Sequence, residues 1–481
     1  MHKSFLIIAL CLTLLPFGQA AAQATVEQIL DTGPTDQRIN LVFLGDGYRG
    51  DELGKFREDA VGLLDYLLAT PPYTTYRSYF NAFIIFVASN ESGADHPETN
   101  TYRDTYFNSS YNCSNIQRLI CFTGDGSTKA VGLLQTFVPE YDLPVLIVND
   151  EIYGGAGGFF AITSTNDEAR NIVVHETGHA FAGLADTYEN GNLPGHEAYN
   201  TTAETDRNLI KWRHWFVDNT QIPTPENSNF SQVIGLFEGA VYNRKGWWRP
   251  KLTCMMRTLG EPFCEVCQEH HIRALYNRVS PLADYEPTQQ EIFVNSGEAR
   301  VLQVMPMQPS DHALRVEWLI DGTPIAEAKM PTLRVTAAAF GSGTMTFTAR
   351  VTDDTGIVRD PAVLPLLTDE VTWTITFASS ADTEDETPGA GFTLYQNYPN
   401  PFNPTTTIRY ELQKPAQITL RVFDMLGREM ATLVESYRPT GDGQATWDGR
   451  DQSGRRVPSG LYFYQLRAEG FQQTRSMMLL R

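Results

Sequence analysis

Along the first half of the chain, short unbroken apolar runs alternate with stretches whose apolar residues return every three or four positions. The runs 39–44 (Ile to Leu), 83–88 (Phe to Ala) and 144–148 (Pro to Val) hold few polar positions and predict strands covered on both faces. The stretches 52–68 and 167–183 have the helical period. Alternating strands and helices from Thr25 to about Ser280 predict an α/β or α+β body, expected at 25–283. From about Pro287 the rhythm shortens to two. Segments such as 314–318 (LRVEW) and 346–351 (TFTARV), set off by turn pairs like Asp321-Gly322, predict a β-sandwich over 287–378. Residues 379–391 are small and acidic with Pro and Gly, a linker composition. A last β-rich module is expected over 392–481.

Composition narrows the functional classes. With 42% apolar and 20% charged residues in 481, the chain is globular and long enough for about three domains. Lys and Arg number 37 against 57 Asp and Glu, a formal charge of −20, and such a surface repels phosphate backbones, so nucleic acid is excluded as a partner. Met1-His2-Lys3, the apolar run 5–15 and the small residues Ala20-Ala21-Ala22 and Ala22-Gln23-Ala24 form the pattern of a signal peptide over 1–24. Cleavage after Ala24 removes Lys3 and no acid, giving 36 − 57 = −21. The run is too short to span a bilayer and no later run approaches about 20 apolar residues, so an exported monomer without a transmembrane segment is expected.

Export bears on the cysteines. Without Cys11 of the leader, five of the six remain. Cys113 and Cys121 lie close together in a polar stretch and predict a local disulfide. Cys254, Cys264 and Cys267 lie near His270 and His271, but only Cys264-x-x-Cys267 is a paired knuckle. One disulfide plus a buried thiol is therefore expected there in preference to a zinc cluster.

The chemistry centres on His175-Glu176-Thr177-Gly178-His179. Thr165-x-x-Glu168 just upstream can form a capping box, which would start a helix and stack the two imidazoles at i and i+4 on one face. Such imidazoles bind Zn²⁺, and the neighbouring carboxylate of Glu176 reaches a water at the open position as general base. A third ligand follows if Gly183 ends the helix at positive φ and returns Asp186 beneath the metal. Glu189, His196 and His214 are the rival third ligands. Tyr188 is a candidate to polarise a scissile carbonyl, or a packing residue of the turn. The glycine run 154–158 lacks the Lys and Ser/Thr of a phosphate loop and reads as a flexible rim leading to an edge strand on which a peptide would lie. Arg49-Gly50-Asp51 is an adhesion-type tripeptide too short to weigh against these.

The stretch from His175-Glu176-Thr177-Gly178-His179 to Gly183-Leu184-Ala185-Asp186-Thr187-Tyr188 resembles the active-site signature of secreted bacterial metallopeptidases of the IgA-peptidase family. Further matching segments are Leu44-Gly45-Asp46-Gly47-Tyr48, Phe80-Asn81, Ser92-Gly93-Ala94-Asp95, Tyr153-Gly154-Gly155, Phe237-Glu238-Gly239-Ala240, Trp248-Arg249-Pro250, Cys254-Met255-Met256-Arg257 and Phe263-Cys264-x-x-Cys267. The resemblance strengthens Zn²⁺ on His175, His179 and Asp186 with Glu176 as general base, and implies a metzincin-like zinc peptidase domain with a methionine turn beneath the metal at Met256 or Met255; Tyr188 stays a catalytic candidate on its position alone. Metzincins place their glycine three residues after the second His, against four here, and the family usually carries an acid where Thr187 stands.

The two modules that follow resemble Ig-like sandwiches. The segment 316–322 (VEWLIDG) with 349–356 (ARVTDDTG) is similar to PKD-like modules and reads as a spacer. The run 395–406 (YQNYPNPFNPTT), with 422–428 (VFDMLGR), Trp447-Asp448-Gly449 and 458–464 (PSGLYFY), resembles type IX secretion sorting domains. That implies export by a Bacteroidota-type Gram-negative bacterium to its surface or medium, with the secretion machinery as a partner. The expectation is a secreted zinc endopeptidase acting on protein or peptide. A surface adhesin or glycan-binding protein with a vestigial zinc site, and a zinc amidase acting on cell-wall material, are the alternatives.

Overall fold

The structure, a computed structural model, describes residues 24–189, 194–295, 297–326, 328–378, 392–400, 402–424, 428–468 and 471–479. The expected leader, the linker at 379–391 and residues 425–427 of one quoted segment lie outside these. The described residues up to 376 form one compact unit and those from 377 a second. The protein is multidomain and rich in strands, with few helices.

The first unit opens on a six-stranded sheet. Its members are β1 (Thr25–Leu30), β2 (Ile39–Asp46), β3 (Phe80–Phe86), β6 (Tyr141–Val148), β7 (Gly155–Ala156) and β8 (Ala161–Ser164), while β4 (Ser109–Ser110) and β5 (Cys121–Phe122) make a separate ribbon. The sheet order is β1-β3-β2-β6-β8-β7, parallel through its centre and antiparallel at both edges. Every residue of β2 and β3 is buried, as expected of strands covered on both faces. On one face Val42, Leu44, Ile85, Leu146 and Val148 pack against Ala130 and Leu134 of helix α2 (Gly126–Phe137). The alternate residues, among them Leu41, Phe43 and Val145, point the other way. Helices α1 (Leu53–Ala69) and α3 (Ala169–Ala180) pack together, and α1 buries Phe56, Ala60, Leu63, Leu64, Leu67 and Leu68, a helical stripe.

Loops at the end of β2 hang on one acid. Asp46 is fully buried and its carboxylate accepts from Thr105 Oγ1, Phe107 N and Ser109 N, each at 2.9 Å. Gly47 follows at φ +71, and a Cβ there would come within 2.0 Å of the Gly93 carbonyl oxygen. The 93–109 segment is thereby pinned to the sheet. From it the chain enters the 113–121 loop, closed by the expected Cys113–Cys121 disulfide.

A β-sandwich completes the unit. A three-stranded sheet (Leu282–Glu286, Ala299–Pro306, Thr332–Thr336) lies with a five-stranded one (Glu291–Val294, Thr368–Phe377, Gly343–Thr352, Arg315–Ile320, Thr323–Pro324). Trp318 and Trp373, both fully buried, stack at 5.8 Å in its core. This sandwich is docked on the α/β body and does not hang from it as a spacer would. Asp353 Oδ2 accepts from Tyr76 (2.7 Å) and Tyr276 (2.6 Å), and its Oδ1 meets His312 Nε2 at 2.8 Å. In the reverse sense, Glu269 Oε2 takes His214 and Trp215 at 2.7 and 2.9 Å, and Oε1 takes the backbone N–H of Arg359 and Asp360 at 2.6 and 2.7 Å.

The second unit is an Ig-like sandwich of a three-stranded and a four-stranded antiparallel sheet. Leu394, Ile408, Leu420, Trp447, Tyr464 and Leu479 lie in its core. The run 395–406 has a structural reason for its composition: Asn397, 2% exposed, donates from Nδ2 to Pro399 O and Thr406 Oγ1, and its own N–H reaches Tyr464 Oη at 2.8 Å.

Replacing Asp353 by Ala strips two buried tyrosine hydroxyls of their acceptor, and should lower the unfolding free energy of the first unit by about 2–4 kcal/mol. Urea denaturation followed by tryptophan fluorescence reads this. Although burial lowers the His312 pKa, its hydrogen bonds to Asp311 and Asp353 raise it above 6.5 overall. Its contribution is therefore complete below about pH 6.5 and fades as pH climbs through the higher folded value.

Candidate functional site

Helix α3 carries the His-Glu-x-x-His stretch, but the expected capping box does not form. Glu168 N–H donates to Asn166 Oδ1 at 3.0 Å, an Asx turn, while Thr165 Oγ1 donates to Asp150 O at 3.0 Å. Asn166, two residues before Glu168, takes the N–H in an Asx turn, and the Thr165 hydroxyl is engaged by the Asp150 carbonyl. At the other end, Gly183 at φ +64 turns the chain as expected, with Gly183 N donating to His179 O and Leu184 N to Gly178 O.

The turn brings Asp186 back beneath the helix. Its Oδ1 lies 3.0 Å from His175 Nε2 and 3.4 Å from His179 Nε2, and the two Nε2 atoms are 3.2 Å apart. A tetrahedral ion with bonds of 2.0–2.1 Å separates its donors by about 3.3–3.4 Å, so the triangle has the size of three of its corners. The protons are also determined. His175 Nδ1 faces Met255 O at 2.9 Å and His179 Nδ1 faces Leu184 O at 2.7 Å. A carbonyl only accepts, so each neutral imidazole carries its proton on Nδ1 and directs a bare Nε2 lone pair inward. When both rings are neutral, two lone pairs and a carboxylate oxygen converge, an arrangement that favours a cation between them, whether a metal ion or a proton on His179.

Titration follows the same logic. Burial opposes charge on His179, yet the hydrogen bond and charge of Asp186 outweigh it and hold the imidazole at about 9. Burial would raise the Asp186 carboxyl, and the two imidazoles bring it well below the usual range. Glu176, 8% exposed, is pushed upward by burial, partly countered by His175 and His179. It borders a cleft with Arg118, Tyr153, Gly155, Tyr188 and Arg257.

Several neighbours fix this geometry. Met256 is fully buried below α3, and a Cβ on Gly178 would meet its Sδ at 2.6 Å, so only glycine permits the approach. The Met256 carbonyl also accepts Thr187 N at 2.8 Å. Strands β9 (Phe237–Ala240) and β10 (Asn243–Arg249) form a hairpin whose tip, Val241 and Tyr242, has φ of 49° and 66°. Such values strain a β-branched residue. The tip is held because Val241 N donates to Asp186 O, Tyr242 N to Tyr188 O, and Tyr242 Oη to Asp186 Oδ2.

His175, Glu176 and Tyr188 thus line one cleft, His179 and Asp186 lie against His175, and Tyr188 Oη accepts from Arg118 at 3.2 Å. The rival third ligands lie elsewhere: Glu189 pairs with Arg257 at 2.8 Å, His214 with Glu269 at 2.7 Å, and His196 is exposed. The glycine run is a seated edge strand more than a loose rim. Gly155 N–H and C=O are bonded to Arg118 O and Ile120 N, so the disulfide loop covers the edge there and removes Gly155 from any peptide pairing. Tyr242 and Arg118 carried no sequence signal: a Val-Tyr pair does not mark a two-residue turn, and Arg118 reaches the cleft from a loop.

No curated protein matches the chain. Among solved structures, it overlaps latent PorU of Porphyromonas gingivalis at 16% identity over 40% of this chain and 19% of that one, with a TM-score of 0.17. PorZ, a surface component of the type-IX secretion system of the same organism, overlaps at 19% identity over 28% and 15% of the two chains, with a TM-score of 0.15. The fibronectin(III)-like modules of Clostridium thermocellum CbhA overlap at 11% identity over 41% and 92%, with a TM-score of 0.17. This chain thus spans under a fifth of PorU and of PorZ. A family model described as FlgD Ig-like domain matches residues 402–471, within the second unit. The model described as IgA Peptidase M64 matches residues 27–231 and 226–275, just over half of the 481 and the stretch that supplies every side chain of the cleft: the chain belongs to the IgA Peptidase M64 family.

Proposed function

We propose that the protein is a secreted, zinc-dependent endopeptidase whose metzincin-like catalytic domain, residues 25–283, holds the ion on His175, His179 and Asp186. The reading is carried by the convergence of two bare Nε2 lone pairs and one carboxylate oxygen within 3.0–3.4 Å. Zinc, when bound, polarises a carbonyl and makes a water acidic near neutral pH. Glu176 accepts the proton of the attacking water and returns it to the departing amine nitrogen, and burial favours the protonated form that makes that return. The Tyr188 hydroxyl, raised to about 12 by burial and the nearby Asp186 charge, keeps its proton for donation to a developing oxyanion beside Arg118. Exposed Tyr153 and Phe159 flank the glycine segment and offer a polypeptide apolar surface.

Around this centre, residues 1–24 act as the signal peptide, 287–378 as an Ig-like sandwich that supports the body, and 392–481 as a type IX sorting domain behind a linker at 379–391. The sorting role rests on the run 395–406 and its companion segments, and brings the protein to the cell surface or medium of a Bacteroidota-type bacterium as a monomer. No helix among the described residues is long and apolar enough to cross a membrane.

Four outcomes test the site. Glu176→Gln should retain zinc while lowering kcat by about 10²–10⁴-fold. The parent should lose activity on chelation and regain it with zinc on unfolded protein; an adhesin would show no such hydrolysis, and an amidase would act on peptidoglycan instead. Gly157→Ala would bring a Cβ to 2.5 Å from Glu176 Oε2 and 2.8 Å from His179 Cδ2. Its kcat/KM should fall at least about tenfold with thermal stability unchanged, because residue 157 is exposed and the carboxylate is what must move. Tyr242→Phe removes the donor to Asp186 Oδ2 and should weaken zinc affinity about 10–100-fold in competition with a chelator.

A further inference from the structure

The cluster of Cys254, Cys264 and Cys267 differs from the disulfide plus thiol expected from sequence. All three sulfurs are unbridged and buried, at 4%, 4% and 1% exposure. Cys267 Sγ lies 3.6 Å from Cys254 Sγ and 3.5 Å from Cys264 Sγ, and the three form one compact group of ligand atoms. Neither pair is closer to bonding than the other. A tetrahedral zinc with 2.3 Å bonds to sulfur separates its thiolates by about 3.7–3.8 Å, so a small expansion of this triangle admits the ion.

The surroundings suit thiolates. Cys264 is the N-cap and Cys267 lies in the first turn of helix α4 (Glu265–Tyr276), where unpaired N–H groups and the helix dipole favour negative charge. Cys254 Sγ accepts the backbone N–H of Cys264 at 3.2 Å and that of Met256, two residues on. These contacts hold a thiolate whether or not a proton is nearby. One helical turn after Cys267, fully buried His271 has Nδ1 on Tyr73 Oη at 2.6 Å and no partner on Nε2. It lies on the helix face shared by both thiols, though outside the ligating group.

We infer that Cys254, Cys264 and Cys267 form a second, structural zinc site. It locks the turn beneath the catalytic cleft, because the turn that begins at Cys254 presents Met255 O to His175 Nδ1 and Met256 O to Thr187 N. The site is independent of the peptidase reading: it orders a loop, and a protein without hydrolytic activity would still need it. Metal in this position also keeps three thiols from oxidation in an oxidising compartment.

Metal analysis of residues 25–481, expressed with zinc and washed free of loosely held metal, tests this. Two zinc equivalents per chain are expected; His179→Ala should keep one and the double variant Cys264→Ser/Cys267→Ser should lose one. Cobalt-substituted parent protein should show thiolate-to-metal charge-transfer absorption that His179→Ala retains. Three thiols should react in denaturant with chelator and without reductant. A single zinc equivalent lost in His179→Ala and kept in the cysteine double variant would overturn the second site and leave the peptidase site standing. One reactive thiol, the mark of a disulfide, would overturn it on the parent chain alone, even if the double variant failed to fold. The converse, zinc kept in His179→Ala with none lost relative to the parent, would sustain the cysteine site and remove the catalytic one.

Discussion

Two backbone carbonyls decide where the protons of the cleft sit. Because Met255 O and Leu184 O can only accept, both imidazoles carry hydrogen on Nδ1, and in the neutral rings the other nitrogens are lone pairs directed at the same small volume as the Asp186 carboxylate. In a polypeptide without a cation, three acceptors at such separations repel one another or must capture a proton, and the high affinity of His179 for one expresses that conflict. The surroundings do not yield: Met256 and Thr177 are fully buried and Asp186 is gripped from its far side. Electrostatic tension held by rigid packing is therefore the condition on which the rest of the site is built.

The carbonyls come from opposite sides of the helix. Leu184 belongs to the exit that Gly183 allows, and Met255 to a turn tied down through Cys254 and approached closely because residue 178 has no side chain. The hairpin tip at Val241 and Tyr242 adds a third anchorage at some backbone strain, on the order of 1–3 kcal/mol per residue, offset by the bonds it makes to the 186–188 strap. The sheet contributes the platform: β8 leads into α3, and the edge strand β7 lies over Glu176.

Much of this was legible before any coordinates. His175, Glu176, His179, Gly183 and Asp186 were readable because their chemistry is local: helix spacing and one left-handed glycine fix their relations within a dozen residues. What escaped was either a competition between near neighbours or a long-range approach. Asn166 outcompeted Thr165 for the helix start, which composition alone does not rank. Tyr242 lies far along the chain from the acid it touches, and its hairpin turns on Val and Tyr where the usual turn signal would be Asn and Gly. The cysteine cluster was misread because proximity in sequence between Cys264 and Cys267 says nothing of the third sulfur, which arrives from the turn beneath the cleft.

The buried carboxylates of Asp353 and Glu269 enlarge what counts as the smallest stable unit around the cleft. A fragment trimmed at Ser280, where the residues bearing the chemistry end, would expose Tyr76, Tyr276 and the Glu269 pocket to water and unstack Arg359 from Trp215, which it covers at 4.1 Å. Gene designs that isolate the first 280 residues would thus produce a body with a raw, half-polar wound, prone to clumping, whereas a boundary placed beyond the strand that ends at Phe377 keeps the scaffold whole.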